Sequence, residues 1–210
     1  MTNPDYTHLL VIVDRSGSMA TCYQDMIGGL DTLFAEQAKL EGECLVDYVQ
    51  FDTEYELVFE NVPVAAAKAQ LQPRGGTALL DAIGKGVTTL GEKLDALDAD
   101  ERPGKVLVVI ITDGHENASV DWTADSVKTL IAEQESTYSW DFTFLGANID
   151  AVAVGQTFGV SAGKTLNFNT NNIEATSMSL NTYVGAVRGA KGPGGAASVT
   201  YSDEDRKANS

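Results

Sequence analysis

Hydrophobic positions in this chain follow two periods, one of strands and one of helices. The run Leu9-Leu10-Val11-Ile12-Val13 is uninterrupted, rich in β-branched residues and of strand length, which predicts a parallel strand buried on both faces after a polar lead-in over residues 1–7. Lys105 to Thr112 reads the same way. From Tyr23 to Glu41, Met26, Ile27, Leu30, Leu33, Phe34 and Gln37 recur at spacings of one, three and four, so an amphipathic helix is predicted there, with Gly42 as its stop. Leu80, Ile83, Val87, Leu90, Leu94 and Leu97 give the cleanest helical period.

Cys44 to Phe51 and Tyr55 to Phe59 are strand-like runs joined by Asp52-Thr53-Glu54, a link short enough to predict a hairpin and hence an antiparallel edge strand. Residues 63–71 are Ala-rich and predict a short helix, followed by the loop Gln72-Pro73-Arg74-Gly75-Gly76-Thr77. Further along come a helix over Trp122 to Glu135 with Asp121 as its cap, a strand over Trp140 to Ala147 and a short helix around Ala151 to Phe158. A strand at Thr165 to Phe168 and a closing helix over Asn172 to Ala190 complete the set. This alternation predicts a doubly wound α/β fold: a mostly parallel sheet with one antiparallel edge strand and helices on both faces. Residues 1–191 make one domain; residues 192–210, opening on Gly-Pro-Gly-Gly and ending in charged residues, have the composition of a tail.

With 210 residues, 43% of them hydrophobic, the chain supports one core. A formal net charge of −16, from 30 acidic against 14 basic residues, argues against nucleic acid and anionic membranes as partners. No basic leader precedes an apolar stretch, and no apolar run approaches the roughly 20 residues that span a bilayer, so the expectation is a soluble, cytoplasmic chain. Cys22 and Cys44 form no CxxC pair and have no clustered histidine, and two histidines are too few for a multi-histidine metal centre.

The chemistry lies where strands end. Asp14, Ser16 and Ser18 follow the first strand at intervals of two, Thr77 closes the Gly-Gly loop, and Asp113 follows Ile111-Thr112. Open α/β sheets bind ligands beyond the carboxyl ends of their strands. Two carboxylates and three hydroxyls offer only hard oxygen donors, suited to Mg²⁺, Mn²⁺ or Ca²⁺, and their low charge leaves a cation electrophilic with a position open to an external anion.

Asp14-Arg15-Ser16-Gly17-Ser18, with Thr77 and Asp113, resembles the metal-ion-dependent adhesion site (MIDAS) of von Willebrand factor A domains, whose pattern is DxSxS followed by a Thr and an Asp. The likeness extends through Gly-Gly-Thr-Ala-Leu-Leu-Asp-Ala-Ile and Ile111 to Ser119, spans about residues 5–190 in element order, and in its wording looks most like the small intracellular members found in bacteria and phages. The resemblance implies that Ser16, Ser18 and Thr77 ligate directly, that Asp14 and Asp113 act through water, and that a partner protein's Asp or Glu completes the shell. It implies a binding module, not an enzyme.

Two other readings share the fold. A Mg²⁺-dependent phosphohydrolase of the haloacid-dehalogenase kind needs a second Asp two residues after the nucleophile, where this chain has Ser16, and no P-loop Lys follows a glycine turn. A structural, virion-associated or self-assembling protein is not separable by sequence. The flanking residues Asp52, Arg74, His115, Glu116 and Asn117 read as solvated loop, Asp81 as a cap for the Thr77 loop, and Trp122 and Trp140 as packing residues. Asp203 or Glu204 of the tail is a candidate carboxylate for the metal site of the same or a neighbouring chain, by which the protein would self-associate.

Overall fold

The first strand, β1, runs from Asn3 to Asp14 at the centre of a six-stranded sheet in a computed structural model that describes residues 2–191 and 195–209. Leu9, Val11 and Val13 project to one side and Leu10 and Ile12 to the other, and all five are at most 1% exposed. That double burial is why the run carries no polar residue before Asp14. The remaining strands are β2 (Glu43–Phe51), β3 (Tyr55–Pro63), β4 (Pro103–Thr112), β5 (Asp141–Ala147) and β6 (Thr165–Phe168), in the spatial order β3-β2-β1-β4-β5-β6. Every pairing is parallel except the β2–β3 hairpin, so the antiparallel edge strand lies where the short Asp52–Glu54 link predicts it.

Helices α1 (Tyr23–Gln37) and α5 (Ile173–Gly189) cover the face of Leu9, Val11 and Val13. Helices α2 (Leu79–Asp95), α3 (Ala124–Tyr138) and α4 (Ala151–Thr157) cover the other. No helix among the described residues is long and apolar enough to cross a membrane. The chain builds outward from β1 to β2 and β3, then returns to β4 on the other side. The reversal opens a crevice beyond the carboxyl ends of β1 and β4.

Several expectations need correcting. β1 begins at Asn3, inside the expected lead-in, because its first residues pair with the β2 and β4 backbones and need no apolar side chains for that. Residues 63–71 supply only a short 3-10 turn at Val64–Ala66. The cap of α3 is Thr123 rather than Asp121: Thr123 and Ser126 bond each other's backbone N–H groups in a reciprocal box.

The C-terminal segment also differs from a tail. Gly192 to Gly194 lie outside the described residues, but residues 195–209 pack onto the domain. Tyr201 is 5% exposed, its ring stacked on Tyr183 at 4.7 Å and its hydroxyl 2.9 Å from the Thr143 hydroxyl. A short helix, α6 (Asp203–Ala208), follows; its Arg206 donates to the Ala162 and Thr165 carbonyls, and buried Asn209 bonds Thr176 and Ser179. Asp203 and Glu204 thereby belong to a helix anchored through Arg206 at the start of edge strand β6, the end of the strand opposite the crevice.

A buried polar cluster lies on the α2 side. Asp47 accepts from the Asn61 N–H at 2.7 Å and from Lys93 at 3.0 Å, while His8 Nε2 stands 3.2 Å away, out of line for a hydrogen bond. Burial works to raise the Asp47 carboxyl, but His8, the Asn61 N–H and Lys93 outweigh it and hold the group below the usual carboxylate range. Its stabilising contribution is therefore complete above about pH 4 and lost as pH falls through the lower folded value. Asp47→Asn is expected to cost about 3 kcal/mol at pH 7, with the gap to wild type closing in urea titrations as pH falls below the ordinary carboxylate range. Tyr201→Ala should cost about 3 kcal/mol and Tyr201→Phe about 1, by the same titration at pH 7; equal stability of all three proteins would show that the C-terminal segment is not docked.

Candidate metal centre

Asp14 is the last residue of β1 and has no exposed surface. Its Oδ1 accepts the Ser16 N–H at 2.6 Å, closing the turn out of the strand, and its Oδ2 accepts the Thr112 hydroxyl at 2.5 Å from the end of neighbouring β4. The chain then enters a 3-10 turn, Gly17–Thr21, which brings the Ser16 and Ser18 hydroxyls within 3.0 Å of each other. Ser18 donates to Asp113 Oδ1 at 2.6 Å, joining the end of β1 to the end of β4 across the crevice.

Thr77 arrives from a third direction, one residue before the Ala78 cap of α2. A Cβ added at Gly114 would lie 3.7 Å from both the Ser18 and the Thr77 hydroxyl oxygens, so these two oxygens flank the same bare stretch of backbone. All five residues expected from the sequence, Asp14, Ser16, Ser18, Thr77 and Asp113, therefore converge at one place, and all but Ser18 are buried.

Burial pushes the Asp14 carboxyl up to about 6, against the Thr112 and Ser16 hydrogen bonds and with a small push from Asp113. Asp113 is also raised by burial, partly offset by Ser18. Two carboxylates raised together, with no Lys or Arg paired to either among the described residues, are a pair short of positive charge. The donors are hard oxygens only, and no group of three or more His, Cys, Asp or Glu among the described residues is arranged to hold a metal ion, so nitrogen- and sulfur-seeking metals have no cage here. The residues fit an oxygen-ligated divalent cation such as Mg²⁺ or Mn²⁺, with hydroxyls providing most of the donors.

The flanking loop residues do more than the sequence suggests. Asn117 accepts the Thr77 N–H at 2.9 Å, and the Thr77 carbonyl accepts the N–H groups of Asn117 and Ala118. Glu116 accepts from the Leu80, Ala118 and Ser119 N–H groups, tying the start of α2 to the loop after β4. Asp81 accepts from Val120, Asp121 and Trp122, so it holds the segment before α3 and not the Thr77 loop for which the sequence suggests it. Of the residues read as solvated loop, His115 alone is exposed without such a bond. Asp52, 1% exposed, lies beneath the first two loops with Arg15 and Arg74 paired to it. Trp122 packs against Gly84 and Trp140 is buried, as packing residues should be. Cys22 is buried and its thiol pushed up to about 11 by burial, a poor nucleophile.

No protein-family model matches the sequence, and no curated protein is similar to it. Solved structures do match in shape. Proximal thread matrix protein 1 from the mussel byssus superposes with a TM-score of 0.59 at 10% identity, over 86% of this chain and 46% of that one. A second structure of that protein carries zinc in its MIDAS motif, with a TM-score of 0.56 at 12% identity. A von Willebrand factor type A protein from Catenulispora acidiphila matches with a TM-score of 0.59 at 16% identity, over 86% of this chain and 43% of that one. The vWF domain of the pilus tip protein Mfa5 from Porphyromonas gingivalis matches with a TM-score of 0.60 at 9% identity, over 85% of this chain and 94% of that one. The chain thus spans under half the length of the mussel and Catenulispora proteins and nearly all of the pilus-tip domain. Strand order, the single antiparallel edge and these superpositions agree: the fold of this chain is that of the von Willebrand factor A domain.

Proposed function

We propose that this chain is a metal-dependent protein-binding module, in which a divalent cation held at the carboxyl edge of the sheet bridges to an Asp or Glu of a partner protein. The observation that carries the reading is the convergence of three hydroxyls and only two carboxylates, with Ser16 and Ser18 3.0 Å apart and Ser18 on Asp113 at 2.6 Å. Ser16, Ser18 and Thr77 offer the hydroxyls, and Asp14 and Asp113 supply the charge. A bound cation supplies a Lewis-acidic position to which an external carboxylate can attach. Similarity to a mussel protein whose MIDAS motif holds zinc supports a divalent cation in such a site.

The module reading also proposes that the chain is not an enzyme. Ser16 occupies the position where a phosphohydrolase of this topology would carry its general acid, and a serine hydroxyl is far too weak an acid for that role near pH 7. Relatives in shape from a byssus thread and a pilus tip favour a second reading, in which the partner is a structural assembly.

Melting curves test the site. Mg²⁺ or Mn²⁺ at about 100 times its dissociation constant should add roughly 2.7 kcal/mol, on the order of 5–10 °C in melting temperature for a domain of this size. Asp14→Ala and Thr77→Ala should abolish most of that gain. Identical wild-type curves with metal and with chelator would remove the reading, and so would turnover of a generic phosphoester that is lost in Asp14→Asn. Capture from native host extract by wild type but not by Asp14→Ala, in Mg²⁺, is the expected sign of a metal-bridged partner.

A further inference from the structure

Asp52 is not among the five MIDAS positions, yet it grips a residue next to each of three of them. Its Oδ2 accepts from Arg15 Nε at 2.9 Å and from Arg74 Nε at 2.7 Å. Its Oδ1 accepts the Glu54 N–H at 2.7 Å, and its backbone carbonyl accepts the Ala78 N–H at 2.8 Å. Arg15 stands between Asp14 and Ser16; Ala78 directly follows Thr77. Two direct bonds close the same joint, Arg74 N–H to the Arg15 carbonyl at 2.7 Å and Gly17 N–H to the Gly75 carbonyl at 3.2 Å. Gly75 has φ +68°, and a Cβ there would lie 3.2 Å from the Asp52 side chain, so the loop passes close over the carboxylate.

Charge gives the same residue a second task. Arg15 is 3% exposed and lies between two candidate metal-site positions, so its buried positive charge needs a counter-charge of its own. Asp52 and Glu56 cancel that charge. Asp52 is itself ionised under ordinary conditions. Burial works to raise it, but Arg74, the Glu54 N–H and Arg15 prevail and hold it below the usual carboxylate range.

We infer that Asp52, through Arg15 and Arg74, is a positioning residue of the metal centre: it fixes the Thr77 loop against the Ser16–Ser18 turn and so sets both the affinity for the cation and the number of protein oxygens that reach it. The hairpin between β2 and β3 is thereby a fourth loop of the site, though it donates no ligand. The inference rests on the metal-site reading above. It extends that reading to residues the DxSxS pattern does not contain.

Mn²⁺ is the probe, because its effect on the relaxation of water protons reports how many waters remain on the bound ion. Titrations of the full chain should give Asp52→Asn and Arg74→Gln at least a tenfold weaker dissociation constant than wild type. Bound Mn²⁺ should also carry one more water, as in Thr77→Ala. Arg74→Lys should recover part of the affinity. Asp52→Asn leaves two guanidinium groups on a neutral amide and can fail to fold; Arg74, whose side chain is 55% exposed, provides the variant that keeps the test open. Wild-type affinity and water count in both variants, with only the metal-free melting temperature lowered, would overturn the inference and leave the metal centre standing. Failure of wild type to bind Mn²⁺ at all would instead overturn the metal-site reading, and this inference with it.

Discussion

Between Leu9 and Val13, β1 has no solvent on either face, and this constraint orders everything at the carboxyl edge. A strand covered on both sides holds its polar side chains back until the helical layers part, and here they part at Asp14. Because the strand order reverses between β1 and β4, the parallel strand that ends beside Asp14 is the one that ends in Thr112 and is followed by Asp113. The Thr112 hydroxyl then satisfies one Asp14 oxygen and the Ser16 N–H the other, so a buried carboxylate is hydrogen-bonded on both oxygens while Asp113 accepts from Ser18. The topology, more than any single residue, explains why positions 14, 16, 18, 77 and 113 meet.

How much of this is legible in the sequence follows from the range of the interactions involved. Elements defined by their own period, such as the Leu80 to Leu97 helix and the two continuous apolar strands, are found within a few residues, because each carries its signal locally. The five candidate residues are legible only as a set: a polar residue at a strand end or in a glycine loop is ordinary, but the DxSxS triplet, Thr77 and Asp113 together form a specific pattern. The C-terminal segment is not legible. Tyr201 is a single aromatic among polar residues, and its burial depends on Tyr183 and Thr143, one of them 58 residues away. Asp52 escapes for the same reason: it reads as a hairpin-turn residue, while its partners Arg15 and Arg74 are 37 and 22 residues distant. Glu116 and Asn117 are polar loop residues whose side chains accept from the backbone N–H groups of Leu80 and Thr77, 36 and 40 residues away, and no spacing rule marks such pairs.

The two edges of the sheet use charge in opposite ways. At the amino edge, a cavity of about 1100 Å³ is lined by Lys105, Lys164, Arg188 and Lys191. Arg188 donates to the carbonyls of Gln37, Glu41 and Gly42, and Lys105 donates to the Arg188 carbonyl. Lys164 pairs with Asp141 at 2.6 Å. Cations there answer the C-terminal carbonyls of α1 and α5, where helix dipoles favour positive charge. At the carboxyl edge the oxygens of Asp14 and Asp113 are met by hydroxyl and N–H groups but, among the described residues, by no Lys or Arg, and that asymmetry supports the proposed cation at this edge.

Charge also constrains the partner that the proposed reading admits. Two carboxylates and a divalent cation sum to zero, so the site itself neither attracts nor repels a third carboxylate at long range; the attraction is a short-range coordination bond. The surrounding chain carries a formal charge of −16, and a partner acidic over its whole surface would meet repulsion before reaching the cation. At physiological ionic strength that repulsion fades over about 8 Å, so one exposed Asp or Glu on an otherwise neutral or basic surface can approach. The proposed partner is therefore defined less by acidity than by a single protruding carboxylate, and the loops around Thr77 and the β2–β3 hairpin, fixed by Asp52, set how far it must protrude.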